Sequence, residues 1–418
     1  MVRSPRRVLP PAQLGQRTAQ GTALNVAFLA DTGCRGMVPH ERARMQQDCA
    51  DLPVHNDAQS KWAFPVVAQQ IADSSPDLVI HGGDYHYFYE ESKFSTFWVG
   101  FGRNRFEYWM YEFLDPAQPM LRVSPHVFAR GNHEICQSTW FGNGWFELFG
   151  PRVDPKASAS DGTALNACAL PQDPPKGTHS GLSQTWWFDV APRNDTTVKP
   201  YRFYVVDSGN DANAQFHDVF KEAATPGRDK AWITHIPPTM MLRYKAHHEH
   251  HARNYYADTH VMSAVTSGLQ QGAGCSGYDC WPAAIFTGHQ HLYQKVELSA
   301  SASLAPGTII TEVHIAGHGG TAWDTGGPKA DGTPWNDTVT SCRRWLRGAK
   351  NAKKNSRRQE VFGQDDLHVR FTTASRHGFL LMDRRQGTST PSGWKITPQW
   401  TPGLPAINAT VHKGDCPK

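Results

Sequence analysis

Along the chain, short runs of Val, Ile, Leu and Phe alternate with long polar stretches, and most of these runs stop at a residue that can carry chemistry. The run 24–30 (LNVAFLA) ends at Asp31, 77–83 (DLVIHGG) at Asp84, and 125–131 (PHVFARG) at Asn132 and His133. Further on, 202–206 (RFYVV) ends at Asp207, 230–234 (KAWIT) at His235, and 283–288 (AAIFTG) at His289 and His291. Runs this short, bounded by Gly or Pro and rich in β-branched and aromatic residues, predict buried strands. In layered α/β folds ligands gather beyond the carboxyl ends of the strands, so the Asp, Asn and His side chains at five of these ends, all but that of 202–206, are expected to converge. Later strands are expected in 308–317, 377–383 and 393–400, and a helix around 106–114. The stretches 89–124, 151–180, 240–281 and 321–366 read as excursions from a single domain at 24–402, preceded by a flexible leader at 1–23 and followed by a tail at 403–418. No internal repeat is visible.

Composition narrows the setting. A chain of 418 residues that is 39% hydrophobic can bury a substantial core. A formal charge of +4 lacks the concentrated basic face of a nucleic-acid binder, so none is expected as a partner. The basic stretch 350–358 reads as a solvated loop, with attraction of phosphate as the minor alternative. No apolar run approaches the ~20 residues of a membrane span. The eight cysteines contain no C-x-x-C pair and read as disulfides of an oxidising compartment. Cys34 with Cys49 and Cys275 with Cys280 are the pairs preferred from proximity. Buried free thiols and a structural zinc site are the alternatives, and a reactive Cys34 or Cys136 is less favoured than a tether. The expectation is a secreted or periplasmic protein, although the first residues lack an apolar signal region. Asn194, Asn336 and Asn408 begin N-x-[ST] sequons, which matter only in a eukaryotic secretory pathway.

Five local patterns follow one another: Asp31-Thr32-Gly33, Gly83-Asp84-Tyr85-His86-Tyr87, Gly131-Asn132-His133-Glu134, His235 after its strand, and Gly288-His289-Gln290-His291. Carboxylate, amide oxygen and imidazole suit hard to borderline cations. Two cations about 3.5–4 Å apart need a bridging ligand, and the two oxygens of Asp84 suit that role. His289 and His291, two residues apart, project to the same side of an extended segment, so one short stretch can serve both cations.

In this order the patterns resemble the metallophosphoesterase superfamily and, within it, the purple acid phosphatases. The resemblance spans about 24–291. It implies an α/β fold, a calcineurin-like αββα sandwich of two mixed sheets flanked by helices. It also implies a binuclear site. One metal would be held by Asp31, Asp84, Tyr87 and His291, the other by Asp84, Asn132, His235 and His289. Tyr87 stands where the purple enzymes place a phenolate on Fe(III), which implies a ferric ion beside a divalent Fe, Zn or Mn. The alternative is that Tyr85, Tyr87 and Tyr89 form an aromatic pocket edge. His133 would lie near substrate and stabilise or protonate it, with a supporting hydrogen-bonding role as the alternative. His318 reads as structural or peripheral.

Two departures stand out. The fourth pattern, Ala231-Trp232-Ile233-Thr234-His235, lacks the usual leading Val. Nine residues beyond His235, where purple acid phosphatases carry a substrate-site His, stands Tyr244. Either one of His247, His248, His250 and His251 takes that role or the cluster is a solvated loop. The implied reaction is hydrolysis of small phosphate monoesters by a metal-activated hydroxide. A phosphodiesterase or nucleotidase with another metal pair is the alternative, and a non-enzymatic metal-binding protein is less favoured.

Overall fold

The computed structural model describes residues 24–34, 47, 49, 62–87, 106–134, 142–150, 183, 185–191, 200–208, 230–237, 282–300, 309–321, 367–374, 376–384, 393–401 and 412–415. They form two mixed sheets. The smaller has the order β12 (Lys395–Trp400), β11 (Gly378–Arg384), β1 (Leu24–Leu29), β2 (Leu78–His81), β3 (His126–Phe128). The larger has the order β13 (His412–Asp415), β10 (Leu367–Ala374), β8 (Tyr293–Ala300), β9 (Ile309–Ala316), β7 (Ala284–Thr287), β6 (Lys230–Thr234), β5 (Tyr201–Val206), β4 (Trp186–Val190).

The polarity of these strands determines where the polar strand ends go. β1, β2 and β3 are mutually parallel. So are β5, β6, β7 and β9. Antiparallel neighbours flank each parallel block: β11 pairs with β1, β4 with β5, and β8 with β9. Each block therefore presents its carboxyl ends along one margin, where crossover loops begin.

The continuous apolar runs have a simple cause, because a strand covered on both faces must be apolar on both. In β1, Val26 and Phe28 join the layer between the sheets with Phe203, Ile233 and Phe286. The alternate residues Ala27 and Leu29 face the helical side with Val67, Ala68 and Ile71. Phe28 and Phe286 meet across the sheets with ring centroids 5.4 Å apart. The helical side is built from α1 (Phe64–Ser74), α2 (Phe106–Trp109), which runs into a π-helical turn at Met110–Leu114, α3 (Gln118–Leu121) and α4 (Gly142–Leu148). Pro65 sits in the first turn of α1, where a missing N–H costs nothing. Ser75 ends the helix in a left-handed conformation, its N–H donating to Ala72 O.

The result is the two-sheet α/β architecture expected above. Three of the late strands expected from sequence are β9, β11 and β12, and the helix expected around 106–114 is α2 with its π turn. β4, β8, β10, β13, α1, α3 and α4 add to the strands and helix read from sequence. The sequence reading closed the domain at 402, yet β13 pairs with β10, so the segment after 402 supplies a strand to the larger sheet. Tyr89, Tyr244, the cluster His247, His248, His250 and His251, the pair Cys275 and Cys280, Cys136, the three sequons, the leader and 350–358 lie outside the described residues. Among the described residues no helix is long and apolar enough to cross a membrane.

Phe28 is fully buried three residues before Asp31. Phe28→Ala is expected to lower unfolding stability by about 3–5 kcal/mol, through lost transfer energy and an unfilled cavity. Urea denaturation measures this, and a loss below about 1 kcal/mol would show that the inter-sheet layer collapses around the gap.

Candidate functional site

The loops after β1, β2, β3, β6 and β7 meet at one place. They bring together Asp31, Asp84, Tyr87, Asn132, His133, His235, His289 and His291, all eight of the residues expected from sequence. Tyr87 sits at the centre of one half. Its hydroxyl lies 2.7 Å from Asp31 Oδ1, 2.7 Å from Asp84 Oδ2 and 2.8 Å from His291 Nε2. Asn132 sits at the centre of the other half. Its Oδ1 lies 3.0 Å from His235 Nε2 and 2.7 Å from His289 Nδ1. Asp84 joins the halves, because its Oδ2 is also 3.1 Å from His235 Nε2. The ligand atoms of Asp84, His235 and His289 all lie within 4.8 Å of one another.

This grouping has more acceptors than protons. A phenol has one hydrogen, yet two carboxylate oxygens lie on the Tyr87 oxygen. His235 Nδ1 lies 2.9 Å from the carbonyl of Gly82, which can only accept, so that nitrogen is the donor. A neutral His235 would then aim the lone pair of Nε2 at Asp84 Oδ2 and Asn132 Oδ1. Burial disfavours the charged ring, but the neighbouring Asp84 outweighs burial and pushes His235 up to about 9. For Asp84, burial works against ionisation. The surrounding His133, His235 and His289 prevail, and its pKa falls well below the ordinary carboxylate range. A cation between these groups would remove the same conflict, so the donor set fits one.

The backbone is shaped to hold these atoms. Among the described residues Asp31 (φ 57°), Asp84 (φ 60°), His289 (φ 70°) and Ser75 are the non-glycine residues at positive φ. The first three are all in this cluster, where such strain persists only if surrounding bonds over-determine it. Asp31 N–H donates to Gly83 O at 2.9 Å and Thr32 N–H to Asp84 O at 3.0 Å, so the first two loops clasp each other. His289 N–H donates to Asp31 Oδ2 at 2.8 Å. Gly83 lies at φ 105°, and a Cβ there would fall 2.6 Å from Gly131 N and 2.8 Å from His235 Nδ1. At Gly131 a Cβ would collide with the Asp84 carboxylate.

His133 borders the cluster. Its backbone N–H donates to Asp84 Oδ1 at 3.0 Å, and its Nδ1 donates to His86 O at 3.0 Å. Its Nε2 is thereby turned toward Asp84 Oδ2, 3.8 Å away. The ring lies 4.1 Å from that of Tyr87, centroid to centroid. Tyr85 takes no part in the cluster. It is buried among Trp109, Phe113 and Phe149, and its hydroxyl donates to Ala129 O at 2.8 Å. His318 is buried too, against Tyr293 and Trp400, and burial followed by the nearby His377 pushes it down to about 3.

Several residues to which sequence reading gave no role hold the cluster in place. Glu134 Oε2 accepts the N–H of Asp84 at 3.0 Å and of Gly131 at 3.1 Å, and its Oε1 accepts that of Tyr85 at 2.9 Å. Burial first, then the charge of Asp84, push Glu134 up to about 8. His81 accepts Gly83 N–H at Nδ1 and so donates from Nε2 to Thr32 Oγ1 at 2.9 Å. Burial and then His235 hold it well below the ordinary histidine value, hence neutral. Glu112, inside the π turn, accepts Tyr87 N–H at 3.0 Å. The Asp31 loop is braced by Thr321 N–H to Asp31 O at 3.1 Å, by Trp62 Nε1–H to Thr32 O at 2.7 Å, and by the Cys34–Cys49 disulfide. That pair is one of the two preferred from proximity. Apart from these cysteines, Glu134 alone had a sequence signal, its place in the third pattern.

The family described as calcineurin-like phosphoesterase matches residues 24–293. No curated protein matches the chain. Among solved structures, a purple acid phosphatase from yellow lupin (Lupinus luteus) seeds is 14% identical, with a TM-score of 0.43, and the match covers 91% of this chain and 53% of that one. The chain thus spans about half the length of the lupin enzyme. The structure of PhoD is 11% identical with a TM-score of 0.46, covering 94% of this chain and 68% of that one. The Plasmodium protein GAP50, described as the anchor in the inner membrane complex, is 10% identical with a TM-score of 0.44, covering 95% and 90%. At such values no activity is carried across from any of the three.

Glu134→Ala would leave three buried N–H groups, those of Asp84, Tyr85 and Gly131, without their acceptor. Unfolding stability is expected to fall by about 3 kcal/mol or more, as each unmet buried donor costs about 1–3 kcal/mol. Thermal or urea unfolding measures this. A change below about 1 kcal/mol would mean that another group satisfies these donors.

Proposed function

This chain belongs to the calcineurin-like phosphoesterase family, and from that premise we propose that it is a binuclear phosphatase of the purple acid kind, hydrolysing small phosphate monoesters. The observation that carries this reading is the excess of acceptors around Tyr87 and Asn132, with Asp84 shared between the two halves. Asp31, Asp84, Tyr87 and His291 would hold one cation, and Asp84, Asn132, His235 and His289 the other. A phenol oxygen beside two carboxylates favours a ferric ion in the first set. The second set has one carboxylate and favours a divalent ion.

Bound there, such cations supply a nucleophile from water at moderate pH and neutralise charge on the phosphoryl oxygens. The remaining work falls to the chain. Asp84 fixes the two halves relative to each other. His133, held by its Nδ1–H on His86 O, keeps Nε2 available, so that in its doubly protonated form it would carry the proton passed to the departing oxygen. Charge dispersed over phosphoryl oxygens calls for positioned donors rather than covalent participation, and the described cluster offers no nucleophilic Ser or Cys. The Cys34–Cys49 disulfide supports an oxidising compartment.

Side-by-side turnover of p-nitrophenyl phosphate and its bis ester tests the substrate class. Preference for the diester would move the assignment to a phosphodiesterase. Metal analysis and a visible spectrum of protein prepared without chelator test the metal pair. Iron with a phenolate charge-transfer band is expected, and Tyr87→Phe should lose the band while keeping the ring's packing on His133 and His291. An iron-free, fully active wild type would sink the ferric assignment.

The protonation of His235 gives a pH test. Its pKa is raised from 6.5 to about 9, so in the cation-free protein its contribution to stability is complete below about pH 6.5 and is lost as pH rises through 9. A cation must displace that proton. Mn²⁺ affinity is therefore expected to rise about tenfold per pH unit between 7 and 9, with one proton released. Calorimetry in buffers of different ionisation enthalpy reads the release, and pH-independent affinity would remove His235 from the ligand set.

A further inference from the structure

Outside the cluster, Arg130 and Asp207 form a deeply buried pair of opposite charges. Nη2 of Arg130 contacts Oδ2 of Asp207, and both side chains are at most 1% exposed. A pair this buried gains little net stability, because desolvation of both ions offsets their attraction. Its position suggests another use. Arg130 lies two residues before Asn132, on the loop after β3 of the smaller sheet. Asp207 follows β5 of the larger sheet, whose last residue Val206 is in register with Thr234 on β6, just before His235. The neighbouring Ser208 Oγ accepts the N–H of Ile236, just after His235, at 2.8 Å. Asp207 Oδ2 is itself fixed by Ser183 N–H at 2.7 Å, and the Arg130 guanidinium sits 4.9 Å from the ring centroid of Phe146 on α4.

We infer that Arg130 and Asp207 are positioning residues that fasten the Asn132 loop to the His235 loop across the two sheets. They thereby set the 3.0 Å approach of Asn132 Oδ1 to His235 Nε2. The tie acts directly on the Asn132–His235–His289 half. The Asp31–Tyr87–His291 half has bonds of its own, from Thr321, Trp62 and Glu112. The inference rests on the proposed reading of the cluster as a two-cation site. It adds that this ion pair tunes one cation and leaves the other alone.

The test compares wild type with the double variant Arg130→Met and Asp207→Asn. Both charges are removed together, which avoids an unpaired buried ion, and Asn keeps an oxygen for Ser183 N–H. Mn²⁺ binding to the full chain is measured by calorimetry alongside thermal unfolding. Wild type prepared without iron is expected to bind two Mn²⁺ ions, because carboxylate and imidazole groups also accept Mn²⁺ when no ferric ion competes for the first set. The double variant is expected to keep its Tm within about 5 °C and to weaken one of the two sites about 10–100-fold, the effect usual for losing a group that orients a ligand. Unchanged affinity at both sites, or equal weakening of both, overturns the inference and leaves the two-cation reading standing. A wild type that binds no Mn²⁺ overturns both. If the double variant does not fold, Arg130→Lys decides by the same measurement, since it keeps the charge but loses the guanidinium geometry. Selective weakening of one site supports the tie and unaltered binding overturns it.

Discussion

The structure depends on a local excess of lone pairs. Two carboxylates converge on one buried phenol oxygen, and a part-buried amide oxygen faces two imidazoles. Left alone, such a group repels itself. The protein answers with protons, raising His235 and letting Asp84 stay ionised beside it. It also answers with covalent and hydrogen-bonded restraint, which keeps the acceptors from drifting apart. A site of this kind is expensive to assemble without its cation, and the expense is met by the packed layer between the sheets.

Strain and support can be matched bond by bond. Asp31 and Asp84 adopt left-handed backbone, and each is gripped by N–H and C=O groups of the other loop. Glu134 collects three N–H groups at the foot of the Asp84 loop, so that loop has a buried carboxyl as its anchor. The arrangement resembles a nest built twice: the clustered polar groups are presented by strained turns, and the turns are held by groups that stand behind them.

What could be read from the sequence follows from how directly each feature is tied to a strand. Asp31, Asp84, Asn132, His133, His235, His289 and His291 stand within a few residues of a strand's last apolar position, so pattern alone placed them at a common margin. The order of the motifs supplied Tyr87. The supporting contacts were hidden because they join residues far apart in the chain. Gln47 reaches the carbonyl of Gly320, and Thr321 reaches those of Asp31 and Gly33. No local signal marks a carboxyl that will bind backbone, or an arginine that will meet an aspartate in the other sheet. β8 and β10 were missed for a related reason. β8 mixes Lys, Glu and Ser with its apolar positions, and β10 mixes His, Arg and Thr with its own, which blurs the run of apolar residues that marked the parallel strands.

The strand order has a consequence for biosynthesis. β1, which leads into Asp31, lies between β2 and β11, and β11 follows every residue of the cluster in sequence. During translation every residue of the cluster leaves the ribosome well before the strand that closes the open edge of β1. Until then β1 offers unpaired N–H and C=O groups beside a half-built sheet, the kind of edge that recruits stray strands. The nascent chain must therefore be kept from premature pairing while the cluster residues are already in solution, and the smaller sheet is sealed only once residues 378–384 have emerged.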